Sequence, residues 1–233
     1  MAKSRLGMRL ALATGALAVS LGAGQEASAC GGEWIPALES MDHVDYRPQG
    51  VARAERDLEQ GRYSAAAGAI LRMMPHVKSL QAKESASIVA RAQRVLAVAT
   101  ARGGGTLNIQ HEVPKFIQGT WLGQSAQERR TNLEFAVATL EHLSELKKDD
   151  PAVQTELAEA LAGLDDRQAE AKELLEKLAK KDLVSTPEGY ATLAKLRKSH
   201  GDDAGHVAAV KRCQAMSENP QVCATRDHVS AKS

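Results

Sequence analysis

Apolar side chains recur along most of this chain at the spacing of one helix face. Between Ala82 and Arg102, the residues Ile88, Ala92, Val95, Leu96 and Ala99 fall at i, i+4, i+7, i+8 and i+11, one side of an α-helix. After Ser125 the stripe is Leu133, Val137, Leu140, Leu143 and Leu146; after Asp150 it is Val153, Leu157, Ala160, Leu161 and Leu164. A further stripe, Ala171, Leu174, Leu175 and Leu178, follows Asp165-Asp166. Helices are also predicted over 51–60, 63–78, 187–200 and 204–216, with Pro75 ending or kinking the second of these. No stretch alternates with the period of a strand. The pattern predicts an all-α protein of about eight helices, each roughly 10–20 residues long. Their short links favour antiparallel neighbours.

Polar punctuation marks where these helices begin and end. Ser125 with Glu128 reads as a capping box, and Ser185 with Glu188 as another, with Pro187 early in its helix. Asp150-Pro151 supplies a cap and a first-turn proline, and Asp165 or Asp166 is the expected cap of the next helix. Gly103-Gly104-Gly105 stops a helix rather than following a strand, so it is not a nucleotide loop. Residues 103–124, with Pro114, Gly119, Gly123 and an isolated Trp121, form the least regular stretch. A loop of that length inside a domain is usually functional or mobile.

Two places resemble the tetratricopeptide repeat, a helix pair of about 34 residues. Leu58, Gly61, Tyr63 and Ala66 match the end of its first helix, the turn glycine and the start of its second. Tyr190, Leu193 and Ala194, with Gly201-Asp202 at the turn, match the first helix of another unit. The span from Gly61 to Gly201 is close to four repeats of about 35 residues. The pair at 151–182 keeps the helix lengths without the glycine and aromatic, and the stretch 82–147 is broken by the loop. The resemblance implies antiparallel hairpins stacked as an α-solenoid; a generic helical bundle is the alternative. It also implies a groove lined by the first helix of each pair, where Lys195 and Lys198 become candidate partner contacts.

The first 29 residues read differently. Lys3, Arg5 and Arg9 precede an apolar run from Leu10 to about Leu21, and the segment closes on Ala27-Ser28-Ala29. That is the layout of a secretory signal, with a core shorter than the roughly 20 residues of a membrane span. Cleavage places Cys30 first, either as the lipid acceptor of an envelope lipoprotein or as the plain N-terminus of a secreted chain. Residues 30–49, with Gly31, Gly32, Pro36 and Pro48, read as a tether, 50–216 as the helical domain and 217–233 as a polar tail. Losing three basic and one acidic residue from a formal charge of +1 leaves a mature charge of −1. That excludes the basic footprint of a nucleic-acid binder.

Candidate chemistry is sparse. Cys213 and Cys223 flank the turn signal Asn219-Pro220 and are expected to close a disulfide in an oxidising compartment, two free thiols being the alternative. None of the seven histidines has a metal-ligand spacing, and Asp42, His43 and Asp45 lie in the tether, so no metal or cofactor is expected. No catalytic motif is present. Phe116, Ile117, Trp121 and Leu122 gather large apolar groups in a chain with only 3% aromatics, as a partner contact or as a core plug. The expected function is a non-catalytic envelope scaffold that holds a partner protein; a periplasmic or secreted helical enzyme or ligand-binding domain is the alternative. One consequence of the Cys30 reading is directly measurable. A fatty-acid analogue fed to cells should label the intact chain and leave Cys30→Ala unlabelled; no label in either form would mean simple secretion.

Overall fold

The computed structural model describes residues 45–224. The export signal, Cys30 and most of the tether lie outside them, as does the tail beyond Ala224. The described residues are all-helical: α1 Arg47–Glu59, α2 Tyr63–Met73, α3 Ile88–Arg102, α4 Lys115–Gln118, α5 Ala126–Leu146, α6 Pro151–Leu161, α7 Gln168–Lys180, α8 Pro187–Ser199, α9 Asp203–Met216 and α10 Pro220–Cys223. Helix α1 starts ahead of the expected domain boundary because Pro48 is compatible with a first turn, where its missing N–H costs nothing.

Most helix ends follow from local chemistry. The Ser125 hydroxyl accepts from the Glu128 N–H at 3.1 Å, and the Glu128 carboxylate accepts in return from the Ser125 N–H, completing the expected box. Asp150 caps α6 through the Ala152 N–H at 2.9 Å. Gly61 and Gly201, at φ +72° and +75°, close α1 and α8 in the same way. In each, the following residue's N–H bonds a carbonyl five positions back: Arg62 to Asp57 at 2.8 Å, Asp202 to Arg197 at 3.0 Å. Only a residue tolerant of left-handed backbone ends a helix so tightly.

Three expected starts are displaced. Helix α3 begins at Ile88, capped by Ser87, whose hydroxyl accepts from the Ala90 N–H at 3.2 Å. Helix α8 is capped by Thr186, not Ser185, and its hydroxyl accepts from the Gly189 N–H at 3.0 Å. Pro187 takes the first helical position and so makes its predecessor the cap. Neither Asp165 nor Asp166 caps α7: both lie in the 3-10 turn Asp165–Arg167, and Asp166 pairs with Arg130 at 3.1 Å.

Consecutive helices pack as pairs: α1 with α2, α3 with α5, α6 with α7, α8 with α9. The second helix of each pair also packs on the first of the next, as α2 on α3, α5 on α6 and α7 on α8. The first helices meet in turn, α1 with α3, α3 with α6, α6 with α8. Central α3 and α6 are consequently covered on several sides, and their small residues Ala90, Ala92, Ala97, Ala99, Ala158 and Ala160 let neighbours approach closely. The core runs through all four pairs, anchored by Ile70, Leu96, Leu140, Leu161, Leu175 and Leu193.

The stretch 103–124 is ordered by its own packing. It carries α4 and the 3-10 turn Gly119–Leu122, and it buries Leu107, Ile109, Val113 and Trp121. The Leu107 N–H donates to the Trp121 carbonyl at 2.9 Å, closing the loop's ends. From α5, the fully buried Asn132 amide donates to the carbonyls of Gly105 and Thr120 at 2.9 and 2.7 Å, holding the loop at both ends. Asn132→Leu is therefore expected to cost about 2–3 kcal/mol, because two loop carbonyls lose their donor. Urea unfolding measures the loss, and hydrogen exchange should show lost protection concentrated between Gly105 and Gly123. Uniform loss across all helices would contradict the role assigned to Asn132.

Candidate functional site

The first helices of the four pairs share a face on which arginines and carboxylates alternate. Helix α3 places Arg91, Arg94 and Arg102 on one stripe, α6 places Glu156 and Glu159 one turn apart, and α1 adds Glu55. Helix α8 contributes Glu188 in its first turn, where the helix dipole favours an anion. Because Pro187 moves the cap to Thr186, Glu188 is not used in a capping box and its side chain is available to this face.

These groups pair across helices. Arg91 Nε donates to Glu55 Oε1 at 2.9 Å, joining α3 to α1. Arg94 grips Glu156 with two parallel bonds of 2.7 and 2.5 Å, and Arg102 grips Glu159 at 2.8 and 3.3 Å. Arg102 also faces Glu188 at 3.5 Å, and the Tyr63 hydroxyl donates a hydrogen bond to Glu188 at 3.0 Å. The Thr186 hydroxyl donates to Glu159 at 2.6 Å. The Tyr63 ring lies 5.8 Å from the Arg102 guanidinium carbon, within cation–π range. Four residues from α2, α6 and the start of α8 thus gather around the Arg102 guanidinium of α3.

Burial sets the electrostatics of that knot. The Arg102 side chain is only 10% exposed and that of Glu159 only 4%. Burial would lower the Arg102 pKa, but the charge and hydrogen bonds of Glu159, with Glu188 beyond it, more than offset that and raise it. Burial pushes the Tyr63 phenol up to about 12, with Glu188 adding to the rise against the pull of Arg102. Tyr63 therefore stays a neutral donor to the Glu188 carboxylate.

Two cavities open on this face. One of about 580 Å³ is bounded by Tyr63, Arg102, Glu159 and Glu188, with Thr192 and Lys195 on its α8 wall. The other, of about 910 Å³, lies between the α1–α2 turn and the start of α8, and Arg102 and Glu188 form part of its wall too. The converging groups satisfy one another: the Thr186 and Tyr63 hydroxyls donate to Glu159 and Glu188, carboxylates that also face the Arg102 guanidinium. Among the described residues no group of three or more His, Cys, Asp or Glu is placed to hold a metal ion.

The sequence-selected residues divide. Lys195 is exposed and on the cavity wall; Lys198 is exposed on the same helix. The apolar quartet of the loop does not form one surface. Trp121 is buried, edge-on to Phe135 with centroids 5.3 Å apart and Lys78 Nζ 4.8 Å from its ring. Ile117 and Leu122 are half-buried against the core, and Phe116 alone stands out, 86% exposed. Cys213 and Cys223 are disulfide-bonded, with Cα atoms 5.7 Å apart. The Arg94–Glu156 and Arg102–Glu159 pairs were not among the sequence candidates. Their signal was Arg and Glu standing on or beside apolar stripes, ambiguous without knowing which helices meet.

Comparison with protein-family models, with curated proteins and with solved structures finds no match for the chain. Among the described residues no helix is long and apolar enough to cross a membrane. The geometry makes its own demand on the knot. Arg102→Met leaves Glu159 buried with its chief counter-charge gone and should cost about 3–5 kcal/mol. Adding Glu159→Met should return much of that loss, measured by chemical denaturation of both variants. A double variant less stable than the single would contradict the pairing.

Proposed function

We propose that this chain is an exported, non-catalytic binding module of tetratricopeptide design, a helical solenoid that holds an extended segment of a partner protein. The packing order carries the reading. Four first helices meet in succession, α1, α3, α6 and α8, and each second helix packs on the first helix of the next pair. A stack built this way presents its first helices along one continuous face, which is where such arrays bind partners. The cavities of about 580 and 910 Å³ lie on that face, and Lys195 and Thr192 border one of them.

The chemistry of the face favours holding over reacting. Arg94 and Arg102 are each committed to a carboxylate and so serve as rigid walls, a surface for recognition of shape and backbone. A second reading, a helical domain for a small polar ligand, draws on the convergence of Tyr63, Arg102, Glu159 and Glu188 around the smaller cavity. It asks a ligand to displace ion pairs that already satisfy one another, which costs more than it returns.

The export half of the proposal rests on residues 1–29 and agrees with the Cys213–Cys223 bond, since structural disulfides persist in oxidising compartments. On this reading a lipid at Cys30 would hold the module at an envelope membrane, where its partner is another envelope protein.

Site-specific cross-linking tests the proposal. A photoreactive residue at Thr192, on the cavity wall, should capture a discrete partner in intact cells. The same residue at Lys172, on α7, should not. Equal capture at both positions, or none at Thr192 whether the Cys213–Cys223 bond is intact or reduced, would sink the proposed binding face.

A further inference from the structure

Both cavities are bordered by the chain's own C-terminal segment. Ser217, Glu218 and Asn219 border the larger one, Gln221 and Ala224 the smaller, and Val222 borders both. Arg102 and Glu188 also border both, so Val222 sits where the knot of the shared face is reached from either side. The walls opposite this segment come from Gly61 and Tyr63, more than a hundred residues earlier in the chain.

The segment is built to hold that place. The Asn219 side chain accepts from the Gln221 N–H at 3.0 Å and starts the short helix α10, whose Pro220 suits a first turn. Helix α10 packs on α8 and α9, Val222 packs against the core, and Cys223 is buried. Cys213, within α9, is bonded to Cys223, so a single covalent bond closes the loop on the helix behind it. The bond spans ten positions and so keeps the segment tethered beside α9.

We infer that residues 217–224 are a strap that occupies the binding face, and that the Cys213–Cys223 disulfide is the catch that keeps it there. The inference rests on the binding-face reading for its biological use. With the strap in place, one groove is divided into two cavities. With it released, the face running past Arg102 and Glu188 becomes continuous and receives a partner segment that presents an aliphatic side chain where Val222 sits. Release is a thiol–disulfide exchange with a dithiol reductant. One thiolate of the dithiol attacks a sulfur of the bridge and expels the other cysteine as thiolate. The second thiol of the reductant then displaces the mixed disulfide, leaving Cys213 and Cys223 as thiols and the reductant as its disulfide, with two electrons and two protons transferred.

The test needs no partner. A benzophenone amino acid at Gln221 in the oxidised chain should give an intramolecular adduct on the peptides carrying Tyr63 or Lys195, which border the same cavity. Dithiothreitol, or the pair Cys213→Ser and Cys223→Ser, should lower that adduct about tenfold while the far-ultraviolet circular dichroism stays unchanged. Adduct that persists undiminished after reduction would show a strap held without the catch and overturn the inference. So would absence of the adduct in the oxidised chain, or loss of helix on reduction, which would make the bond a staple of the whole domain. Because this readout is internal, its failure is distinct from a failure to capture a partner at Thr192.

Discussion

A guanidinium taken almost wholly out of water has to be matched on every side, and the arrangement around Arg102 is how this domain meets that demand. The charge sits at the end of α3 and is answered by Glu159 from α6 and Glu188 from α8, with Tyr63 and Thr186 completing the donors. These groups come from α2, α6 and the start of α8, and two of those places are fixed by local devices. Pro187 and Thr186 set the start of α8, and the turn at Gly61 sets the position of Tyr63. The apolar core supplies the free energy that keeps the helices together. The ionic knot selects among their possible offsets, since a slip of one turn would strand a buried charge.

The same constraint shapes the electrostatics of the face. Arginine stays protonated across the accessible pH range and its planar fork suits bidentate carboxylates, so Arg94 holds Glu156 with two bonds while burial raises the Glu156 carboxyl above its ordinary range against that pull. Tyr63, with its phenol pushed up to about 12, is inert as a base. Such a surface has a fixed shape and a fixed pattern of charge.

Much of the architecture was legible in the residues, and the reason is range. Ser125 with Glu128, Asp150 with Pro151, and the turn glycines at 61 and 201 act within a few positions, so their effects can be read before any tertiary structure is known. Cys213 and Cys223 are also close in sequence, with a turn signal between them. Local rules failed where two of them competed. Ser185 and Thr186 both suit a cap, and Pro187 decided for the second. Trp121 could equally have faced a partner or the core; Asn132, itself unremarkable in sequence, ties the loop so that the indole turns inward beside Phe135. The candidate face lay beyond reach because its pairs join residues roughly sixty positions apart, and which helices meet is a property of the packed domain.

The Tyr63–Glu188 hydrogen bond joins residues 125 positions apart in a fold whose other contacts lie mostly between neighbouring pairs. Stacked helical pairs assemble from local contacts, so folding starts at several points and spreads. This bond forms only after α2, α3 and α8 have all reached their places, which makes it a late check on register. Under tension the order reverses. Pulling on the chain ahead of α1 while α8 is held would load this clasp together with the α1 pairing and the core contacts of the Tyr63 ring. The protein then has a mechanical weak point at its widest sequence span, while the individual helical pairs remain intact on either side.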